Sequence, residues 1–266
     1  MNKVCLLSID PQKDFCDPNG ALYVNGAEKD MERLATMLKR TKGDIDEIFV
    51  TLDSHRTVHI AHPIWWVDKD GNHPDFFTPI GKDDVIGLNA KWRAYNSGYQ
   101  KRSEEYVQKL ADNGRYDLCI WPPHCRIGSD GAQVMPIFYD ALCDWENRFA
   151  SVNYVTKGSN IYTEHYSAVK ADVYDDEDPS TGLNSELIRQ IQKNDIIAIS
   201  GEASSHCVYQ TILDIANEFG EDNIKKFVFL EDTSSPVTGF EHLQTEFLEK
   251  MVPRGMSITT SDKFLA

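Results

Sequence analysis

Five apolar runs of this chain end on residues that can do chemistry. Val4–Ile9 runs into Asp10, and Ile48–Leu52 into Asp53, with His55 two residues on. Leu118–Trp121 runs into Pro122-Pro123-His124, and Val152–Thr156 into Lys157. Ile196–Ser200 opens into Gly201-Glu202-Ala203-Ser204-Ser205-His206-Cys207 and then a helical pattern. A thiol at the start of a helix meets free N–H groups and a partial positive charge, which favour the thiolate. A thiolate attacks carbonyl carbon, and the backbone N–H groups of Ala203 and Cys207 would face the oxyanion that develops. Asp10 would take the thiol proton and pass it to a leaving amine, and the Lys157 ammonium would hold the anions. The plain alternatives are a cysteine without a role and a buried structural Asp10–Lys157 pair. Asp53 and His55, at i and i+2 of a strand end, share a side. With His124 they form a set of one carboxylate and two imidazoles, which suits one divalent ion, zinc in first place and iron or manganese as alternatives. Two polar loops without an ion are the alternative there. His59 is an extra ligand or an outer hydrogen-bond donor.

These residues need a scaffold that brings strand ends together. The runs are short, rich in branched residues and free of alternation, so each reads as a buried parallel strand. In open α/β sheets, ligands bind beyond the carboxyl ends of the strands. Helical spacing covers Ala27–Thr41, Val134–Phe149, Leu183–Ile191, residues 205–219 up to Gly220, and Glu241–Met251. Lys226–Leu230 reads as a strand, and Ile258 starts a short final extended segment. The alternation predicts a doubly wound, mostly parallel, Rossmann-like sheet of about six strands. Residues 56–115 are polar, aromatic and broken by prolines. They read as an insertion after the second strand, with a helix over Ser103–Leu110 stopped by Asn113-Gly114, in a single domain spanning 1–266. Asp172–Asp178 reads as a solvated acidic loop, with a cation site as the alternative.

A net charge of −15 argues against a nucleic-acid partner and an anionic membrane surface. No apolar run reaches the length of a membrane span. The start of the sequence lacks a signal-peptide pattern, so the expected location is cytoplasmic. The six cysteines form no C-x-x-C pair, which excludes a four-thiolate zinc site and a disulfide framework. Cys5 and Cys119 read as small buried hydrophobes. His62, His73, His165 and His242 read as surface or packing histidines. His206 adjoins Cys207 but, as a helix neighbour, would point elsewhere.

Taken together, the segments Ile9-Asp10-Pro11-Gln12-Lys13-Asp14-Phe15, Asp53-Ser54-His55 with His59, Trp121-Pro122-Pro123-His124-Cys125, Lys157-Gly158 and Gly201–Val208 carry a resemblance. Over nearly its full length the chain resembles the nicotinamidase and isochorismatase-like cysteine hydrolases. The resemblance implies an isochorismatase-like fold, an Asp10–Lys157–Cys207 triad, a metal held by Asp53, His55 and His124, and a cis peptide between Glu202 and Ala203. It also implies that Phe15 and Trp121 flank a substrate ring. The activity implied is that of a metal-containing cysteine amidohydrolase without an organic cofactor, foremost a nicotinamidase of NAD salvage, releasing nicotinate and ammonia. A sister hydrolase of another small amide or ureido compound and a non-catalytic scaffold are the rivals. The expected partner is a small amide, and a homo-oligomer is left open. The chain departs from the family in Ser204-Ser205 ahead of the cysteine, where Thr-Asp is usual, and in the length of the insertion.

Overall fold

Val4–Ile9 is buried residue after residue, and a strand with no solvent face belongs inside a sheet covered on both sides. The computed structural model describes residues 2–266. Its strands are β1 (Val4–Ile9), β2 (Glu47–Asp53), β3 (Trp66–Val67), β4 (Pro79–Ile80), β5 (Arg93–Ala94), β6 (Leu118–Cys119), β7 (Asn153–Lys157), β8 (Ile196–Gly201), β9 (Phe227–Leu230) and β10 (Ser257–Thr259). Its helices are α1 (Lys13–Cys16), α2 (Ala27–Thr41), α3 (Lys82–Val85), α4 (Gln100–Asp112), α5 (Pro136–Glu146), α6 (Ser185–Gln192), α7 (Cys207–Phe219), α8 (Glu221–Ile224) and α9 (Glu241–Met251).

Six strands form one parallel sheet in the order β10-β9-β8-β1-β2-β7. The chain winds outward from β1 through β2 to β7, then returns and winds the other way from β8 to β10. The helices that flank the sheet fall into two groups, α2 with α5 and α7 with α6, α8 and α9, while α3 and α4 of the insertion pack on each other. Right-handed crossovers in the two directions place such groups on opposite faces of the sheet. The direction of winding reverses between β1 and β8, so the crevice that such sheets use for ligands opens where Asp10 follows β1 and the Cys207 turn follows β8.

Local chemistry explains the main elements. On α2, Met31, Leu34, Ala35 and Leu38 make the buried stripe, with Glu28 and Asp30 in its first turn and Lys39 and Arg40 in its last. Those charges complement the helix dipole. Gly201, at φ +105°, lets β8 touch β1, since a Cβ there would lie 1.9 Å from the Ile9 carbonyl oxygen.

Three expectations are corrected. Leu118–Trp121 is not a strand of the central sheet. Only Leu118–Cys119 is extended, and it pairs antiparallel with β4 of the insertion. Pro122 and Pro123, which follow, have no N–H groups with which to continue a ladder. The sixth place is taken by β10, the short final segment. β7 is an edge strand whose residues are largely exposed, so its apolar character does not mean burial. Asp172 is buried beside Arg115, 3.7 Å from its Nε, and is no part of a solvated run. Desolvation pushes its carboxyl up to about 7, against the pull of Arg115.

The insertion packs on its own aromatics. Trp65 stacks on Tyr99 at 5.1 Å and donates its indole N–H to Ser103 at 3.0 Å, while the Trp66 indole N–H reaches the Ile60 carbonyl at 2.6 Å. The insertion also reaches the crevice, where Phe77 meets the Trp121 ring edge-on at 5.7 Å. Among the described residues, no helix is long and apolar enough to cross a membrane.

Candidate active site

Asp10, Lys157 and Cys207 converge at the reversal point. Lys157 Nζ lies 3.0 Å from Asp10 Oδ2 and 3.6 Å from Cys207 Sγ. It also donates to the His165 carbonyl at 2.9 Å and stands 3.3 Å from Asp53 Oδ1. One ammonium thus joins the thiol, the first carboxylate and the Asp53–histidine set. Thr51, a polar residue inside apolar β2, fixes Asp10 from below: its hydroxyl donates to Asp10 Oδ1 at 2.5 Å and accepts the Asp10 backbone N–H at 3.0 Å. Asp10 itself has φ +44°, which turns its carboxylate across the strand end.

Cys207 is the first residue of α7. Burial pushes its thiol well up and Lys157 opposes the push, so the thiol keeps its proton until a base takes it. Lys157 bridges the Asp10 carboxylate and that thiol, at 3.0 and 3.6 Å. Burial raises the Asp10 carboxyl despite Lys157, which makes it a stronger base than a free carboxylate. Burial disfavours the Lys157 charge, but Asp10 and Asp53 outweigh it and keep the ammonium charged. The Glu202–Ala203 peptide is cis. Among the described residues, the N–H groups of Ala203 and Cys207 donate to no protein acceptor, whereas His206 and Val208 both donate to the Ala203 carbonyl at 3.0 and 3.1 Å.

Asp53, His55 and His124 come together beside this triad. Their ligand atoms lie within 4.8 Å of one another, with Asp53 Oδ2 2.9 Å from His55 Nε2 and 3.3 Å from His124 Nε2. The other ring nitrogen of each histidine faces a carbonyl, Gly158 at 3.2 Å for His55 and Pro122 at 2.8 Å for His124. A carbonyl only accepts, so each Nδ1 carries a proton, and in the neutral ring each Nε2 lone pair faces the carboxylate. Buried acceptors facing one another need a proton or a cation between them, and His55 Nε2 has no hydrogen-bond partner. The donor set fits a divalent ion. Burial opposes the charge on Asp53, but His55 and Lys157 hold its carboxyl well below the usual range. Gly158, at φ +81°, gives this set its room, because a Cβ there would meet Asp53 Oδ1 at 2.6 Å.

Several neighbours escaped the sequence reading. Glu164 is buried, with Oε1 4.0 Å from His55 Nε2, and forms a second close group with His55 and His59. Nothing in its spacing from Lys157 singles it out. His62 and His165 are neither surface nor ordinary packing residues. His62 is fully buried among His55, His59 and His124, at ring distances of 5.5, 5.2 and 6.0 Å. Burial first, then His55 and His124, hold it down at about 3. His165 supplies the carbonyl that receives Lys157. His73 and His242 are exposed, as expected. His206 does line the pocket, held between Trp121 at 5.2 Å and Phe240 at 4.9 Å.

The pocket is lined by Phe15, Leu22, Trp121, Tyr166 and Val237 with Asp53, His124, Glu164, Ala203, His206 and Cys207. Phe15 packs edge-on against His124 at 5.2 Å, and the Trp121 indole N–H donates to the Tyr166 hydroxyl at 2.9 Å. The cavity between them is narrow, about 30 Å³. Larger clefts, such as an open groove of about 710 Å³ beside Trp92, hold neither the thiol nor the ligand set.

The fold is that of the nicotinamidase and pyrazinamidase structures, an isochorismatase-like α/β fold. The yeast nicotinamidase Pnc1p superposes with a TM-score of 0.65 at 19% identity, over 96% of this chain and 99% of its own. The pyrazinamidase of Pyrococcus horikoshii in complex with zinc gives 0.56 at 18% identity, over 97% and 99% of the two chains. PnC1 from L. infantum in complex with nicotinate gives 0.59 at 19% identity, over 98% and 94%. No protein-family model and no curated protein sequence matches the chain.

Proposed function

We propose that the chain is a cysteine amidohydrolase that binds one divalent metal and hydrolyses nicotinamide to nicotinate and ammonia, the step that returns nicotinamide to NAD salvage. The observation that carries this reading is the single ammonium of Lys157, which contacts the Cys207 thiol, Asp10 and Asp53 together. Neither a structural ion pair nor a bare scaffold requires a thiol there.

The chain's own residues supply each step. Asp10 takes the thiol proton, and the Cys207 sulfur attacks the carboxamide carbon. The oxyanion of the tetrahedral adduct meets the free N–H groups of Ala203 and Cys207. Asp10 returns the proton to the amine, the C–N bond breaks and ammonia leaves. Asp10 then deprotonates a water that attacks the thioester, and the thiol regains its proton as the acid departs. Lys157 holds Asp10 and stabilises each anion in turn. Asp53, His55 and His124 would hold the metal, zinc by donor chemistry, which when bound supplies a Lewis acid for a ring nitrogen. Phe15 and Trp121 would take the two sides of the ring.

Ammonia release from nicotinamide tests the reading, with pyrazinamide and a panel of small amides and ureido compounds in parallel. One observation favours a neighbouring substrate as a second reading: Phe77 of the insertion packs on Trp121, so a segment outside the central sheet shapes the ring-binding wall. A preference for an aliphatic or ureido compound in the panel would select it.

A further inference from the structure

Four imidazoles crowd one corner of the crevice, yet they do not present the same atom to it. His55 and His124 turn bare Nε2 atoms toward Asp53, as shown above. His59 has the opposite polarity. The Ala61 backbone N–H donates to its Nδ1 at 3.2 Å, so in the neutral ring the proton sits on Nε2. That nitrogen is therefore a donor, buried and without a protein partner among the described residues, in a group whose ligand atoms, with those of His55 and Glu164, lie within 4.8 Å of one another. His62 again faces a carbonyl through Nδ1, that of Thr57 at 3.1 Å. Its Nε2 is then a bare acceptor, completely buried and without a partner. Thr57 lies in an exposed stretch, and the other edge of the ring faces the remaining histidines. His62 belongs to neither of the two close ligand groups. Its ring centroid lies 5.5 Å from that of His55 and 6.0 Å from that of His124.

We propose that His62 is a positioning residue of the metal centre: its Nε2 accepts a hydrogen bond from a water beside the cation, and with the His59 Nε2 turned into a donor only two of the four imidazoles are ligands. The proposal rests on the reading that Asp53, His55 and His124 hold a divalent ion. It departs from the expectation that His62 merely packs, and it resolves His59 as an outer donor and not as a ligand. A lone pair fixed by the Thr57 carbonyl would orient that water beside the ligand set.

Nitrogen NMR of the full chain with labelled histidine reads this without any turnover. Zinc is added to the stripped protein, and single His→Gln variants assign the rings. The expected result is that zinc moves only His55 and His124 to ligated positions. His62 should keep its proton on Nδ1 with a hydrogen-bonded Nε2, and His59 should keep its proton on Nε2. His62→Phe should still take one zinc per chain. It should lose about 10–100-fold in kcat with KM little changed, and His62→Gln, which keeps an acceptor, should recover part of the loss. Ligation of His62 by zinc, a proton on its Nε2, or loss of zinc from His62→Phe would each overturn the proposal. A wild-type chain that takes no zinc overturns the metal reading along with it. Zinc bound with a different His62 state overturns only this inference.

Discussion

Lys157→Met removes the charge that joins the two halves of the site. The ammonium is 3.0 Å from Asp10 and 3.3 Å from Asp53. At an effective dielectric of about 20, each contact is worth roughly 5 kcal/mol before desolvation is counted. Much of that is spent in taking the ions out of water, but deleting one partner strands the others, and such deletions cost about 3–5 kcal/mol. Asp10 has an escape, which is to take up a proton. Its folded-state carboxyl is already raised by burial, and without Lys157 it rises further. A carboxyl raised on folding binds more protons in the folded than in the unfolded state. Stability therefore falls as pH rises from the unfolded value through the folded one. The deficit of the variant against wild type should be smaller at pH 5 than at pH 8. Urea unfolding of metal-stripped protein at the two pH values measures it. A deficit below about 1 kcal/mol at both, or one that shrinks as pH rises, would refute the placement of Lys157 as the shared counter-ion.

Cys207→Ala should abolish ammonia release and leave the far-ultraviolet circular dichroism unchanged, since the thiol has no structural duty. Asp10→Asn should cost orders of magnitude in turnover, and the Asp10→Asn, Lys157→Ala pair little more than either change alone; multiplying effects would separate their roles. Gly158→Ala drives a methyl toward Asp53 at 2.6 Å from a left-handed backbone. It should weaken zinc affinity, measured by chelator competition, more than Gly71→Ala, which meets nothing within 4 Å. Nicotinamide should exceed benzamide in kcat/KM, because a site built to ligate a group rejects the analogue that lacks it.

The order of strands and helices was legible because buried parallel strands carry a run of apolar residues ending at a crevice. Val4–Ile9 before Asp10 and Ile196–Gly201 before the Cys207 turn are the clearest cases. The residues that converge at the candidate site were legible where a polar residue followed such a run, as with Asp10, Asp53, His55 and Lys157. It was hidden where the site draws on loops. Glu164 and His62 reach the histidine cluster by a path that no local spacing encodes. Leu118–Trp121 misled because an apolar run states burial and not which sheet it joins. Asp172 misled in the opposite sense: its partner Arg115 is distant in sequence, so a buried acid looked like a solvated one. Thr51 was visible as a hydroxyl inside an apolar strand, and its bond to Asp10 is the reason for it.

The central claim is that Cys207 forms a covalent acyl link during amide hydrolysis. Acid quench of wild-type protein turning over nicotinamide, followed by intact and peptide mass spectrometry, tests it directly. The account predicts one nicotinoyl group replacing one hydrogen, on the peptide that contains Cys207, and none in Cys207→Ala. Turnover of nicotinamide by Cys207→Ala, or an adduct on any other residue, would contradict it.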